Sequence, residues 1–296
     1  MSVAADLQAL PPPAIVEELD FATIRARLLD RIAAEYPDLA DVLGLESEPL
    51  VKLAEAVAYE ALLIRARINA AADAVFLPRA QGSDLDQLAA LFGVTRLVVT
   101  PANPVSLPPT PPVSETDDGL RTRVLLSLEG ISTAGPRQSY VYHALSADGR
   151  VRDVAVDRPE PGEVRVVFYA EEADGSQTAA PLAAIEAALN DEYVRPLCTD
   201  VTVLSATPVT FAVEAEVEIE AGASAAAVTT AARQAVLGWL ATARQPGREI
   251  PRAKLISALD VPGVRDISLI APAADVAVAV TEVGIATGVT VTEAAP

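Results

Sequence analysis

Pro101-Ala102-Asn103-Pro104-Val105-Ser106-Leu107-Pro108-Pro109-Thr110-Pro111-Pro112 divides the chain. Its six prolines remove backbone donors and fix φ so often that neither a helix nor a central strand can form, so residues 101–112 read as an extended spacer. Proline-rich ligands of small recognition domains share this composition. The spacer marks the best domain boundary, because the pattern before it is helical and the pattern after it mixes helix with strand.

On the N-terminal side, Asp20 is placed to cap a helix in which Ile24, Leu28 and Ile32 recur every fourth residue, and Pro37 stops it. A longer helix follows Pro49. Its Leu50, Ala54, Val57, Ala61, Ile64, Ile68, Ala71 and Val75 alternate spacings of four and three, the period of a coiled-coil seam in which alanines permit close approach. A core helix packed on a neighbour within the same chain would show the same pattern, and both readings stay open. Ser83 reads as the cap of a third helix, which Gly93 ends.

Beyond the spacer, helices are expected over 117–129, 136–146, 179–194, 223–243 and 252–259. Strands are expected over 151–157, 163–170, 200–204, 209–220 and 264–270, with two more within 275–293. The strand at 209–220 alternates, placing Phe211, Val213, Ala215, Val217 and Ile219 on one face and Glu214, Glu216, Glu218 and Glu220 on the other. The aligned carboxylates suit docking of a basic partner or, equally, protection of an exposed strand against edge pairing. Val151-Arg152-Asp153-Val154-Ala155-Val156 is echoed by Val264-Arg265-Asp266-Ile267-Ser268-Leu269, each after a short helix and a tight turn. A duplicated unit or shared local chemistry explains the echo.

The fold class is therefore α+β and multidomain: a helical N-terminal domain (1–100), the linker (101–112), and two α/β domains with small mixed sheets (113–206 and 207–296). A length of 296 residues supports two or three packed units, and 51% apolar against 4% aromatic residues means cores of Ala, Val, Leu and Ile. With 22 basic against 41 acidic side chains, a charge of −19 repels nucleic-acid phosphates and anionic lipid, which argues against nucleic-acid binding. The start, Met1-Ser2-Val3-Ala4-Ala5-Asp6, lacks the basic and long apolar regions of a secretory signal, and no membrane-length apolar run follows, so the chain is expected to be made in the cytoplasm without membrane insertion.

Little here points to chemistry. His143 and Cys198 are single of their kind, which leaves a zinc site or a catalytic triad without its ligands and partners. His143 reads as a structural hydrogen-bonding residue on a helix. Cys198 reads as a small buried apolar residue at a helix-to-strand junction. No Gly-rich phosphate loop occurs, and Glu171-Glu172-Ala173-Asp174-Gly175 lacks the ligand series of a calcium loop and reads as a solvated turn. No cofactor, no metal and no enzymatic activity are expected. A carboxylate-based hydrolase and a secreted adhesin are the weaker alternatives.

Four segments in order carry a resemblance. They are Gly82-Ser83-Asp84-Leu85 through Leu91-Phe92-Gly93; Ser132-Thr133-Ala134-Gly135 with Tyr140-Val141-Tyr142-His143 and Gly162-Glu163-Val164; Pro196-Leu197 before Val201-Thr202-Val203; and Gly247-Arg248-Glu249-Ile250 through Val261-Pro262-Gly263-Val264. Over roughly residues 50–270 the chain resembles the baseplate J-like family of contractile phage tails and related injection machines, with Pro136 standing where that family more often has a polar residue. The resemblance implies a wedge subunit assembled in the bacterial cytoplasm. Its N-terminal helices would join a second tail protein of the I-like type, it would be paired with a second copy of itself, and six wedges would close a ring around the tube hub.

Overall fold

A computed structural model describes residue 11 and residues 13–132, 135–172 and 174–294. The N-terminal start, and Thr133, Ala134 and Ala173 of the motifs above, lie outside the described residues. The chain divides into two compact units, Met1–Thr95 and Arg96–Pro296.

In the first unit α1 (Phe21–Glu35) starts where expected, because the Asp20 carboxylate accepts the N–H groups of Ala22 and Thr23 at 3.1 and 2.9 Å. A short 3-10 turn, Pro37–Leu39, follows it. The long helix α2 (Pro49–Ala74) packs on α1 and buries Val51, Ala54 and Ala58, and Arg25 of α1 is bonded to Glu55 of α2 at 3.1 Å. Ahead of α1, Glu17 exchanges two hydrogen bonds with the Asn69 side chain, at 3.1 and 2.8 Å. Helix α3 (Gly82–Leu91) is entered from Gln81, so Ser83 sits inside the first turn and is not the expected cap. Its end is the expected one: Gly93 has φ +70°, and the N–H groups of Gly93 and Val94 return to the carbonyls of Ala90 and Ala89.

The second unit opens on a hairpin. Strands β1 (Val98–Thr100) and β2 (Val113–Ser114) pair antiparallel, and Asn103 bridges Thr110 beyond them. The proline-rich stretch forms neither helix nor central strand, and it folds back on itself. The turn is local side-chain chemistry. Asn103 Oδ1 accepts the N–H groups of Val105 and Ser106, and Ser106 Oγ accepts the Thr110 N–H at 3.1 Å. At the base Gly149 lies so close to the arm that a Cβ there would stand 2.8 Å from the Val98 carbonyl oxygen.

Helices α4 (Asp117–Gly130) and α5 (Arg137–Ala147) lead into β3 (Val151–Asp157) and β4 (Glu163–Ala170), and α6 (Leu182–Leu189) carries the chain over to β5 (Asp200–Ser205). Pro136 is the N-cap of α5, so a proline is accommodated there. The sheet order is β3-β4-β5, antiparallel then parallel, the parallel pair made possible by the crossover through α6. Helices α5 and α6 cover one face with Tyr140, Ala144, Ile185 and Leu189 against Val154, Val166, Phe168 and Val203. The expected helix at 179–194 is shortened to α6, because Pro181 delays its start and the chain turns at Asp191, whose carbonyl accepts the N–H groups of Val194 and Arg195.

After the β3-β4-β5 sheet and its helices, the middle layer in chain order, the last layer of the second unit is β6 (Thr207–Ile219), α7 (Ala225–Ala243), α8 (Arg252–Leu259), β7 (Val264–Ala271) and β8 (Glu282–Glu293), with sheet order β7-β6-β8. One strand, β8, takes the place of the two expected within 275–293, and the earlier part of that span contributes only a bridge between Val276 and Ile250. Ala232, Val236 and Leu240 of α7 and Leu255 and Leu259 of α8 cover Val213, Ala215, Leu269 and Val289. The echoed segments are β3 and β7. Each is the edge strand antiparallel to the middle strand of a three-stranded sheet whose other pair is parallel.

Candidate assembly surfaces

Helix α2 carries two stripes. Val51, Ala54 and Ala58 are buried. The 3.5-residue seam lies about a quarter-turn away at roughly 100° per residue. Of its members Ala54 is buried and shared with the packed stripe, Leu50 and Ala61 are half-buried, and Ala71 is exposed. Val57, Ile64, Ile68 and Val75 are 48%, 61%, 48% and 64% exposed. Leu53, beside them, is exposed too. The charged residues of α2 (Lys52, Glu55, Glu60, Arg65, Arg67 and Asp73) all fall outside this sector, leaving an uncharged apolar strip about 37 Å long. Among the described residues of the first unit few large apolar side chains are buried; Leu43, Val51, Leu85 and Val94 are the largest.

The acidic row is on β6. Glu214, Glu216 and Glu218 are exposed, while Val213, Ala215 and Val217 between them are buried, so the predicted alternation is observed. Because β6 is the middle strand, its backbone is paired on both sides and the row does not protect an edge. Glu216 stands beside Ser268 and Thr292, Glu214 beside Thr290, and Glu218 beside Asp266, which extends the negative face. Arg265 reaches Glu218 at 3.7 Å.

The residues with chemical potential are scattered. His143 packs edge-on to Tyr142, with ring centroids 5.2 Å apart, and burial pulls its pKa below the usual histidine value. Cys198 is exposed, contrary to the buried residue expected; the turn that begins at Asp191 carries the chain away from the sheet before β5, and Leu197 beside it is fully exposed. Within 171–175, Asp174 accepts bonds from the Ser176 N–H and Oγ at 2.9 and 2.6 Å, and Glu171 is held by arginines. Among the described residues, no three His, Cys, Asp or Glu side chains stand together as a metal site, and no helix is long and apolar enough to cross a membrane.

Sequence reasoning missed one buried ionic cluster. Glu115 and Arg123 form a buried ion pair, Glu115 also accepts the Leu97 N–H at 2.9 Å, and Arg96 bonds Asp117 at 2.7 Å. Burying such charges is tolerated because each is paired and hydrogen-bonded. The cluster fastens the base of the hairpin to α4 and borders a cleft of about 250 Å³ lined by Thr116, Asp118 and Arg152. The only hint in the sequence is the density of charge in Glu115-Thr116-Asp117-Asp118-Gly119-Leu120-Arg121-Thr122-Arg123 ahead of apolar residues.

Comparison with known proteins covers nearly the whole chain. Residues 46–103 match the baseplate J-like N-terminal domain, residues 132–205 the baseplate J-like central domain, and residues 211–292 the baseplate J-like protein C-terminal domain. Baseplate protein J of Escherichia phage P2 is 41% identical over 276 residues, spanning 92% of this chain and 91% of that protein. The three domains occur in family order, and an identity of 41% over 92% of the chain extends through the segments between them: the chain belongs to the baseplate J-like family.

Proposed function

We propose that the chain is a structural subunit of a contractile-tail baseplate wedge, that it helps form the ring around the tail tube, and that it helps couple baseplate rearrangement to sheath contraction. Family membership and the name of the phage P2 relative support the baseplate assignment. The observation that carries the finer reading is the uncharged, solvent-facing strip of α2 on a unit with few large buried side chains. An apolar strip of this length is costly in water and is covered on assembly. Its partners in this reading are helices of a second tail protein of the I-like type and a second copy of the chain, within a sixfold assembly. The acidic face of β6 receives a basic surface of another wedge subunit, where charge sets orientation and encounter rate more than affinity. The charge of −19 speaks against nucleic acid as the partner, and the role requires no catalysis.

The test is Ile64→Glu. The side chain is 61% exposed, so the purified variant should fold and melt close to the parent by circular dichroism, yet fail to enter baseplates because an unpaired carboxylate would sit in an apolar contact. Normal assembly of the variant would remove the strip from the interface. Unfolding of the isolated variant would place it in the chain's own core.

A further inference from the structure

The passage from the middle layer to the last one is a single residue. β5 ends at Ser205 in one sheet and β6 begins at Thr207 in the other, with Ala206 between them and buried. That residue is tied on both sides. Its N–H bonds the Phe168 carbonyl of β4 at 2.8 Å, its own carbonyl accepts the Gln177 side chain, and the next N–H, of Thr207, bonds the Thr281 carbonyl at 2.9 Å. Around it lies a second small core: Val167 and Tyr169 on the face of β4 turned away from α5 and α6, against Ala206, Val283 and Ile285.

The rim of this contact is ionic. Glu171, at the end of β4, accepts the Tyr169 hydroxyl at 2.5 Å and the Arg244 guanidinium at 2.7 Å, with Arg152 3.7 Å away. Arg244 is the C-cap residue that follows α7, on the other sheet's side. Asp153 of β3 feels the charge of Arg248, in the turn that follows α7. Glu171 and Asp153 come from the middle layer, as does Arg152, while Arg244 and Arg248 reach them from the last layer across the joint. Glu171 is only 15% exposed and Tyr169 is buried, while Arg244 is 34% exposed, so the Glu171 contacts are partly shielded from screening by water and salt.

We infer that the middle and C-terminal layers are latched into one rigid arm, with Glu171 as the keystone that joins Tyr169 and Arg244 across the Ala206 crossover. The C-terminal sheet does not swing about Ala206, and a displacement applied to either layer is delivered whole to the other. This inference stands on the chain's own geometry and does not depend on the baseplate reading.

It is tested on the full chain by placing spin labels at Arg158→Cys and Lys254→Cys, both exposed and outside the joint, in a Cys198→Ser background. One narrow distance distribution is expected, unchanged at high salt. Glu171→Ala with Arg244→Ala should widen it at least twofold, and hydrogen exchange at Ala206 and Thr207 should rise tenfold or more while exchange in the cores of both sheets stays slow. A broad or multiple distribution in the parent overturns the rigid arm. A distribution that stays narrow in the double variant overturns the latch. If the double variant fails to fold, Arg244→Gln alone, with the same two readouts, decides between these outcomes.

Discussion

At the scale of single residues, Asp153 is the group most displaced from its ordinary chemistry. Burial raises its pKa from 3.8 to about 6, while the bond it accepts from the Val154 N–H at 2.6 Å and the charge of Arg248 act in the opposite direction. The folded chain therefore binds this proton more tightly than the unfolded one, so the contribution of Asp153 to stability is greatest below its unfolded value and is lost as pH rises through about 6. A shift of about two pKa units bounds the effect at roughly 3 kcal/mol, and local relaxation makes 1–2 kcal/mol the expected size. Asp153→Asn should raise the denaturation midpoint at pH 8 and lose that advantage as pH falls toward 4. A gain that is independent of pH would show that the carboxylate is not held in this way. No periodicity in the sequence marks Asp153, because the polar position of an alternating strand normally faces water; here it is desolvated and feels Arg248 of the last layer. Cys198 is the converse case. Its apolar neighbours suggested burial, and the turn after α6 exposes it.

Among the elements, α2 shows what periodicity can and cannot tell. The spacing of apolar residues located the helix, but the large residues Val57, Ile64, Ile68 and Val75 of the seam it picked out are exposed. The buried residues of α2 are Val51, Ala54 and Ala58, of which Val51 and Ala58 lie outside that seam. The two stripes are separable by mutation. Ala58→Leu overfills a site with no exposed surface and should cost about 1–3 kcal/mol in the isolated chain. Ile64→Ala should cost less than about 1 kcal/mol there, because most of that side chain is already in water. Chemical denaturation of both variants checks this, and equal losses would merge the stripes into one core. Strands β3, β4 and β6 were legible for a related reason: strict alternation, or a continuous run such as Val166-Val167-Phe168-Tyr169 buried on both faces, has few other solutions. The hairpin was not legible. Proline content excludes helix and central strand, but the reversal depends on Asn103 and Ser106 finding particular backbone groups.

For the whole molecule, the hairpin and the Ala206 crossover are opposite kinds of connection. The arm leaves and re-enters the body side by side, with Val98 opposite Ser114, and between residues 101 and 112 no side chain is buried. Replacing residues 102–111 with a short Asn-Gly turn should leave the isolated chain within about 1 kcal/mol of the parent, since nothing packed is lost and closing a shorter loop changes little. Calorimetry of the shortened chain checks this, and a large loss would mean that the arm braces the body. The crossover has no such slack. Inserting a single residue between Ser205 and Thr207 would invert the in–out reading of everything downstream in β6, turning Glu214, Glu216 and Glu218 toward α7 and α8 and exposing Val213, Ala215 and Val217 to water. The arm is a place where evolution or an engineer can write freely, adding or erasing length without disturbing the text on either side. Ala206 is a place where one extra letter shifts the reading frame of a whole sheet.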